Sequence, residues 1–262
     1  MSLLEARGIS IAFGGLRALD SVGFAVDPGE VLAIIGPNGA GKTTLFNIVT
    51  GLYRGQSGEV RLDGREVTGL PPHALAARGL ARTFQNLQIF FRMSALENVM
   101  VGRHLKERRR LWAELLGLPS VLRENRESRE RARELLAFVG LAERAEEPAA
   151  ALPYGALKRL EIARALACEP KVLMLDEPAA GCNPVETEEI DRLIVGIARA
   201  GMAVVLVEHD MKLVMKISNR IHVLDQGRTL AEGTAAEVRG NPAVIAAYLG
   251  AHAGGEGTHA PH

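Results

Sequence analysis

Gly36-Pro37-Asn38-Gly39-Ala40-Gly41-Lys42-Thr43-Thr44 follows directly on the apolar run Val31-Leu32-Ala33-Ile34-Ile35. It fits the pattern G-x-x-x-x-G-K-[ST], and a buried strand in front with a helix start behind is the context in which that pattern cradles phosphate. The glycines let the backbone turn tightly, so that successive N–H groups face the oxygens of a polyphosphate. A helix expected over about Lys42 to Thr50 adds the positive end of its dipole. In that arrangement Lys42 reaches the β- and γ-phosphates and the Thr43 hydroxyl ligates Mg²⁺. The stretch therefore predicts a nucleotide site built on an α/β fold.

Composition agrees with a globular chain. Apolar residues make up 47% and charged residues 24% of 262 positions, room for a core in one large domain or two small ones. Formal net charge is zero, which removes any global electrostatic case for nucleic acid. No apolar run approaches the roughly 20 residues that span a bilayer. Met1-Ser2-Leu3-Leu4-Glu5-Ala6-Arg7 lacks the basic start and long apolar centre of a signal peptide. Cys168 and Cys182 are too few for a disulfide framework or a thiolate metal site. A reduced cytoplasmic setting is expected.

Outward from the loop, Ile9–Phe13 and Val22–Val26 alternate at period two and read as strands, and Asp27-Pro28-Gly29 as the turn into the apolar run. Gly51 is placed to end the helix after the loop. Val60–Val67 reads as a hairpin turning at Asp63-Gly64. A short helix is expected from Pro71-Pro72 to Arg78, and a strand over Leu80–Phe84 that ends at Gln85. From about Asn86 to Ala167 the pattern is helical. Its Arg- and Glu-rich stretch Arg103–Glu134 reads as a solvated helix pair held by pairs of the Glu127–Arg131 kind. The patches Leu111-Trp112 and Leu115-Leu116 and the basic run Arg108-Arg109-Arg110 lie within it. The basic edge has a second reading, proximity to anionic lipid headgroups.

The α/β pattern resumes at Lys171. Val172–Leu175 and Ala203–Val207 are continuous apolar strands of the kind found in parallel sheets. Helices are expected from about Thr187 to Ala200 and from Asp210 to Ser218, and a second hairpin turns at Gln226-Gly227. The tail from Ala251 is rich in Gly and His and reads as disordered, its His252, His259 and His262 included.

Asp176 and Glu177 close the strand at Val172–Leu175. Neighbours on a strand point to opposite faces, so the two carboxylates are assigned different tasks: Asp176 to Mg²⁺, Glu177 to orienting and deprotonating an attacking water. His209 ends the next strand, where nucleotide-binding sheets place their ligands, within reach of a γ-phosphate. Gln85 is a candidate for polarising water or sensing that phosphate, or else a surface loop residue.

The ordered set of Gly36–Thr44, Gln85, Leu152-Pro153-Tyr154-Gly155-Ala156, Asp176-Glu177 and His209 resembles the nucleotide-binding subunit of ATP-binding cassette (ABC) transporters, over nearly all of residues 2–250. The resemblance implies a P-loop NTPase core with a mainly parallel sheet, an antiparallel β subdomain and an inserted α-helical subdomain. It implies one cassette over residues 1–250, with the core in 1–85 and 168–240, the helical signature subdomain in 86–167, a C-terminal helix over 241–250 and a tail over 251–262. It makes ATP and Mg²⁺ the cofactors, adds Gln85 to Thr43 and Asp176 as a metal ligand, and matches Phe13 to the aromatic that stacks on adenine; a place in the β-core is the other reading of Phe13. Pro153, Tyr154 and Gly155 would act in trans, on the ATP of a second cassette.

Arg82-Thr83-Phe84-Gln85-Asn86, Ala95–Val99, Met174–Gly181, Val207–Met211 and Pro242–Gly250 look like the branched-chain amino-acid importer branch, with lipopolysaccharide-export ATPases as relatives and a soluble cassette ATPase or a poorly hydrolysing regulatory subunit as rivals. The resemblance implies a homodimer or a heterodimer with a related cassette, separate membrane permease chains, a substrate-binding protein acting indirectly, no nucleic acid, and a cytoplasmic position on the inner face of the cell membrane. Two departures fall on the intersubunit half. The family's Leu-Ser-Gly-Gly-Gln reads Leu152-Pro153-Tyr154-Gly155-Ala156 here, and Asn183 replaces the usual aspartate. Pro153 brings neither hydroxyl nor N–H. A proline is tolerated in a helix's first turn, so the Gly155 N–H and the helix dipole are expected to face the phosphate instead.

Overall fold

The computed structural model describes residues 2–104 and 119–253. In chain order the strands are β1 (Leu4–Phe13), β2 (Leu16–Val26), β3 (Val31–Ile35), β4 (Ser57–Leu62), β5 (Arg65–Glu66), β6 (Leu80–Arg82), β7 (Val172–Asp176), β8 (Ala203–Val207), β9 (Arg220–Asp225) and β10 (Arg228–Gly233). The helices among the described residues are α1 (Lys42–Val49), α2 (Pro72–Ala77), α3 (Ala95–Arg103), α4 (Pro119–Phe138), α5 (Tyr154–Leu166), α6 (Pro184–Arg199), α7 (Met211–Ile217), α8 (Ala235–Arg239) and α9 (Pro242–Ala253). The chain forms two compact units, residues 1–72 with 194–262 and residues 73–193. The second unit takes in 73–85 and 168–193 as well as the helical stretch, because β6 and β7 pair with each other.

In the first unit β3 lies between β8 and β9 and runs parallel to both, with Ile34 opposite Val207 and His222. Every residue of β3 and β8 is buried. A strand covered on both faces needs a continuous apolar run, which is why these segments show no alternation. β10 continues this ladder antiparallel to β9. A separate antiparallel sheet has the order β2-β1-β4-β5, and its strands alternate buried and exposed positions. Its turn at Asp63-Gly64 has both residues at positive φ, 52° and 71°, as does Gln226-Gly227 at 45° and 76°. These are the two-residue turns whose twist matches a hairpin. α1 ends in two bonds, Gly51 N to Ile48 O (3.1 Å) and Leu52 N to Asn47 O (2.8 Å), which satisfy its last carbonyls around Gly51.

In the second unit β6 pairs with β7 in parallel, Arg82 opposite Met174. The strand is shorter than its sequence suggests: it stops at Arg82, and Gln85 stands three residues beyond it in a loop. That loop is anchored by Asn98 of α3, which is 0% exposed. Its Oδ1 accepts from Phe90 N (2.9 Å) and its Nδ2 donates to Phe90 O and Ser94 O (3.0 Å each). Ser94 and Glu97 form a reciprocal capping box at the start of α3. On α4, Arg131 pairs with Glu134, and Arg129 and Arg133 both reach Glu146. The Leu111-Trp112 and Leu115-Leu116 patches and the run Arg108–Arg110 lie outside the described residues, as does 254–262 of the tail; α9 itself runs through Ala253.

α6 begins at Pro184, three residues before the start read from the sequence, because Asn183 caps it. Asn183 Oδ1 accepts from Val185 N and Glu186 N at 3.0 Å each. Asn98→Ala would leave the Phe90 N–H without its acceptor and the Phe90 and Ser94 carbonyls with their backbone donors alone, at a cost of about 1–3 kcal/mol. A urea melt should show that loss as a lower midpoint with an unchanged slope.

Candidate functional site

In the first unit the loop after β3 owes its course to close backbone approach. A Cβ on Gly36 (φ 153°) would stand 2.1 Å from Leu224 O, and one on Gly41 (φ 103°) 2.7 Å from Leu19 Cδ2 and 2.8 Å from Ala18 O. Only glycine fits at either place. Ala40, between them, is buried, while Asn38, Gly39 and Thr43 are exposed and Pro37 and Thr44 half-buried. Lys42 folds over the loop, its Nζ donating to Gly36 O (2.6 Å) and Pro37 O (2.9 Å). No side chain caps α1, whose N-cap is Gly41 in the left-handed region. The result is an ammonium and a helix N-terminus at one rim, an arrangement suited to an anion.

The carboxyl end of β8 stands at the same level. Ile34 and Val207 are paired, so Gly36 and His209 each lie two residues beyond the pair on neighbouring parallel strands. His209 is exposed, and its N–H donates to the side chain of buried Glu208 (3.2 Å). Phe13 is 48% exposed at the end of β1, edge-on to Tyr53 at 5.8 Å, so it is no core residue. Tyr248 of α9 escaped the sequence reading. Burial pushes its phenol up, and its oxygen accepts from the Gly36 N–H.

In the second unit Asp176 closes β7, and its Oδ2 meets Arg82 Nη2 at 2.7 Å. Glu177 lies past the strand at φ 49°. The separation of the two carboxylates therefore comes from this left-handed turn of the backbone and not from strand alternation. A non-glycine residue held there costs about 1–3 kcal/mol, the kind of strain found at functional positions. Gln85 Nε2 donates to Glu177 Oε2 (3.2 Å), so the loop glutamine and the strand-end glutamate are in contact, and Lys158 Nζ reaches the Glu177 carbonyl (3.4 Å).

Pro153 is the N-cap of α5 (φ −63°, ψ 159°), one place before the first helical turn. It lacks an N–H, but the N-cap N–H is not needed by the helix. Tyr154 is exposed and its ring lies against Gly181, where a Cβ would come within 3.1 Å of it. Glu186 was also missed. One of its carboxylate oxygens accepts from Gly155 N (3.2 Å), the other from Asn183 N (3.0 Å). The Gly155 N–H is thus donated within the chain, and one side chain joins the start of α5 to the cap of α6. The signal was present as Asn183-Pro184-Val185-Glu186, an N-cap with an acidic residue three places on.

Among the described residues no cluster of three or more His, Cys, Asp or Glu could hold a metal ion by itself, and no helix is long and apolar enough to cross a membrane.

Residues 19–180 match the family model of the ABC transporter, and residues 228–254 that of the branched-chain amino acid ATP-binding cassette transporter. The chain is 47% identical to the high-affinity branched-chain amino acid transport ATP-binding protein BraF of Pseudomonas aeruginosa and 46% to LivG of Escherichia coli, each over 95% of this chain and 98% of the relative. The lipopolysaccharide export system ATP-binding protein LptB of Escherichia coli is 32% identical over the same shares. Among solved structures, the ADP conformation of an ATP-binding cassette of an ABC transporter superposes with a TM-score of 0.83 at 30% identity, over 95% of this chain and 99% of that one. A dimeric post-hydrolysis cassette bound to ADP and Pi gives 0.73 at 28% identity, over 88% and 98%. These likenesses carry the P-loop NTPase fold: a mostly parallel sheet, an antiparallel sheet and helices.

Replacing Glu186 by Ala removes the acceptor of two N–H groups. Chemical denaturation should show a loss of about 1–3 kcal/mol, and Glu186→Gln, which keeps one acceptor oxygen, should lose less.

Proposed function

Since the chain belongs to the ABC transporter family of ATP-binding cassettes, we propose that it is the ATP-hydrolysing subunit of a branched-chain amino-acid importer, driving separate permease chains. The observation that carries the substrate class is the match of residues 228–254 together with 46–47% identity to BraF and LivG, against 32% to LptB. The position is cytoplasmic, peripheral on the inner face of the membrane, with a substrate-binding protein delivering cargo to the permease.

The residues divide the work by their chemistry. Lys42 and the N–H groups of Gly39 to Thr44 bind the β- and γ-phosphates, with Pro37 and Asn38 shaping the loop and Gly36 giving it room. Phe13 stacks on adenine. Thr43, Gln85 and Asp176 offer only oxygen donors, the set Mg²⁺ prefers; Gln85 turns its Nε2 to Glu177, which leaves its carbonyl oxygen as the donor. Bound Mg²⁺ supplies charge neutralisation on the phosphate oxygens. Glu177, oriented by Gln85, takes the proton of the attacking water, and His209 donates to the γ-phosphate. Pro153, Tyr154 and Gly155 serve the ATP of a second cassette, identical or related, through the dipole of α5, since Glu186 holds the Gly155 N–H; the dimeric relative with ADP and Pi supports that pairing.

Glu177→Gln should lower the rate of ATP hydrolysis in a single turnover by about 10²–10⁴-fold while ATP still binds, which a single-turnover assay beside equilibrium binding measures directly. An unchanged turnover would remove Glu177 from the proton transfer. Lys42→Ala should lose nucleotide binding itself, read as the disappearance of the ADP-induced rise in melting temperature.

A further inference from the structure

Arg82 closes β6 and Asp176 closes β7, two residues beyond Arg82's ladder partner Met174. Their side chains are 8% and 6% exposed, and Nη2 meets Oδ2 at 2.7 Å. The guanidinium is fixed on further sides: Nε donates to Thr83 O at 3.3 Å, and its carbon lies 5.1 Å from the centre of the Phe84 ring. Asp176 is fixed too, its N–H donating to Thr83 Oγ1 at 3.4 Å. Two long-range partners are thus held in one geometry by backbone, hydroxyl and ring, so the ion pair is part of the fold and not a surface accident. A buried carboxylate of this kind is costly to leave unpaired, and a second cation brought to it meets the charge of the first.

We propose that Arg82 is a positioning residue that competes with Mg²⁺ for Asp176: it holds the carboxylate aimed before metal and nucleotide arrive, and it weakens the hold on Mg²⁺ once they are bound. The inference rests on Asp176 as the metal-binding carboxylate. It assigns Arg82 a part in metal release after hydrolysis, because a loosely held Mg²⁺ leaves with ADP.

The test is the Mg²⁺ concentration that half-saturates binding of a fluorescent ADP to the full chain, titrated from EDTA into MgCl₂. Arg82→Gln, which removes the charge, should lower that concentration about tenfold, a change of about 1.4 kcal/mol. Arg82→Lys keeps the charge without the fork and should stay within about threefold of wild type, a result that a purely structural role for the guanidinium would not give. Asp176→Asn should raise the concentration, and adding Arg82→Gln to it should change nothing more. A higher or unchanged half-saturating Mg²⁺ concentration in Arg82→Gln, with Asp176→Asn impaired, overturns the role of Arg82 alone. No effect of Asp176→Asn overturns the metal-binding reading of Asp176 and the inference with it. Should Arg82→Gln be unfolded without metal, Mg²⁺ with ADP must restore a cooperative melt where EDTA with ADP does not; failure of the metal to restore it overturns the proposal.

Discussion

Leu224 O stands where a side chain at residue 36 would begin, 2.1 Å from that Cβ position. The contact exists because β9, which carries Leu224, is hydrogen-bonded to β3, and the chain must leave β3 past its neighbour. A glycine there is the only way for the loop to turn, and the turn is what aims Lys42 and the uncapped start of α1 at one point. The buried apolar run of β3 thus does two things at once: it fixes the ladder by burial on both faces, and it delivers the glycine-rich loop at the carboxyl end of the strands. His209 follows from the same register, two residues past the partner of Ile34.

The departures from the family pattern read differently with the structure in hand. Pro153 sits at the N-cap, where its missing N–H is no loss to α5. Asn183, in place of the family's aspartate, caps α6 through its side-chain oxygen, a task that both residues perform well. Glu186 then occupies the Gly155 N–H that the proline leaves as an early donor of α5. The start of α5 is therefore tied to the loop after Glu177 by one carboxylate and by the Tyr154 ring on Gly181. A chain lacking the family's serine still holds these two segments as a single piece.

What the sequence conveyed was local. Asp63-Gly64 and Gln226-Gly227 state their turns in two residues, β3 and β8 state their burial by having no polar member, and β7 by having none before Asp176. Errors arose where a distant partner decides. Leu80–Phe84 is apolar enough to read as a strand throughout, yet its pairing with β7 ends at Arg82, so Gln85 meets Glu177 from a loop. Asp176 and Glu177 are adjacent in a strand-like run, but the backbone reverses at Glu177, and no period-two rule foresees a left-handed residue. The Arg82–Asp176 and Tyr248–Gly36 contacts join residues far apart in the chain, and no spacing announces them. The start of α6 stands in Asn183-Pro184-Val185-Glu186, an N-cap with an acidic residue three places on.

The central claim is that ATP hydrolysis by this chain moves a branched-chain amino acid across a membrane. The direct measurement is uptake of radiolabelled leucine into proteoliposomes holding the chain with its co-purified permease, with binding protein outside and ATP inside. ATP-dependent accumulation of leucine that stops when Glu177→Gln replaces the wild-type chain is the result predicted. Leucine uptake that proceeds equally without ATP, or ATP hydrolysis by the assembled complex with no leucine, isoleucine or valine moved, contradicts it.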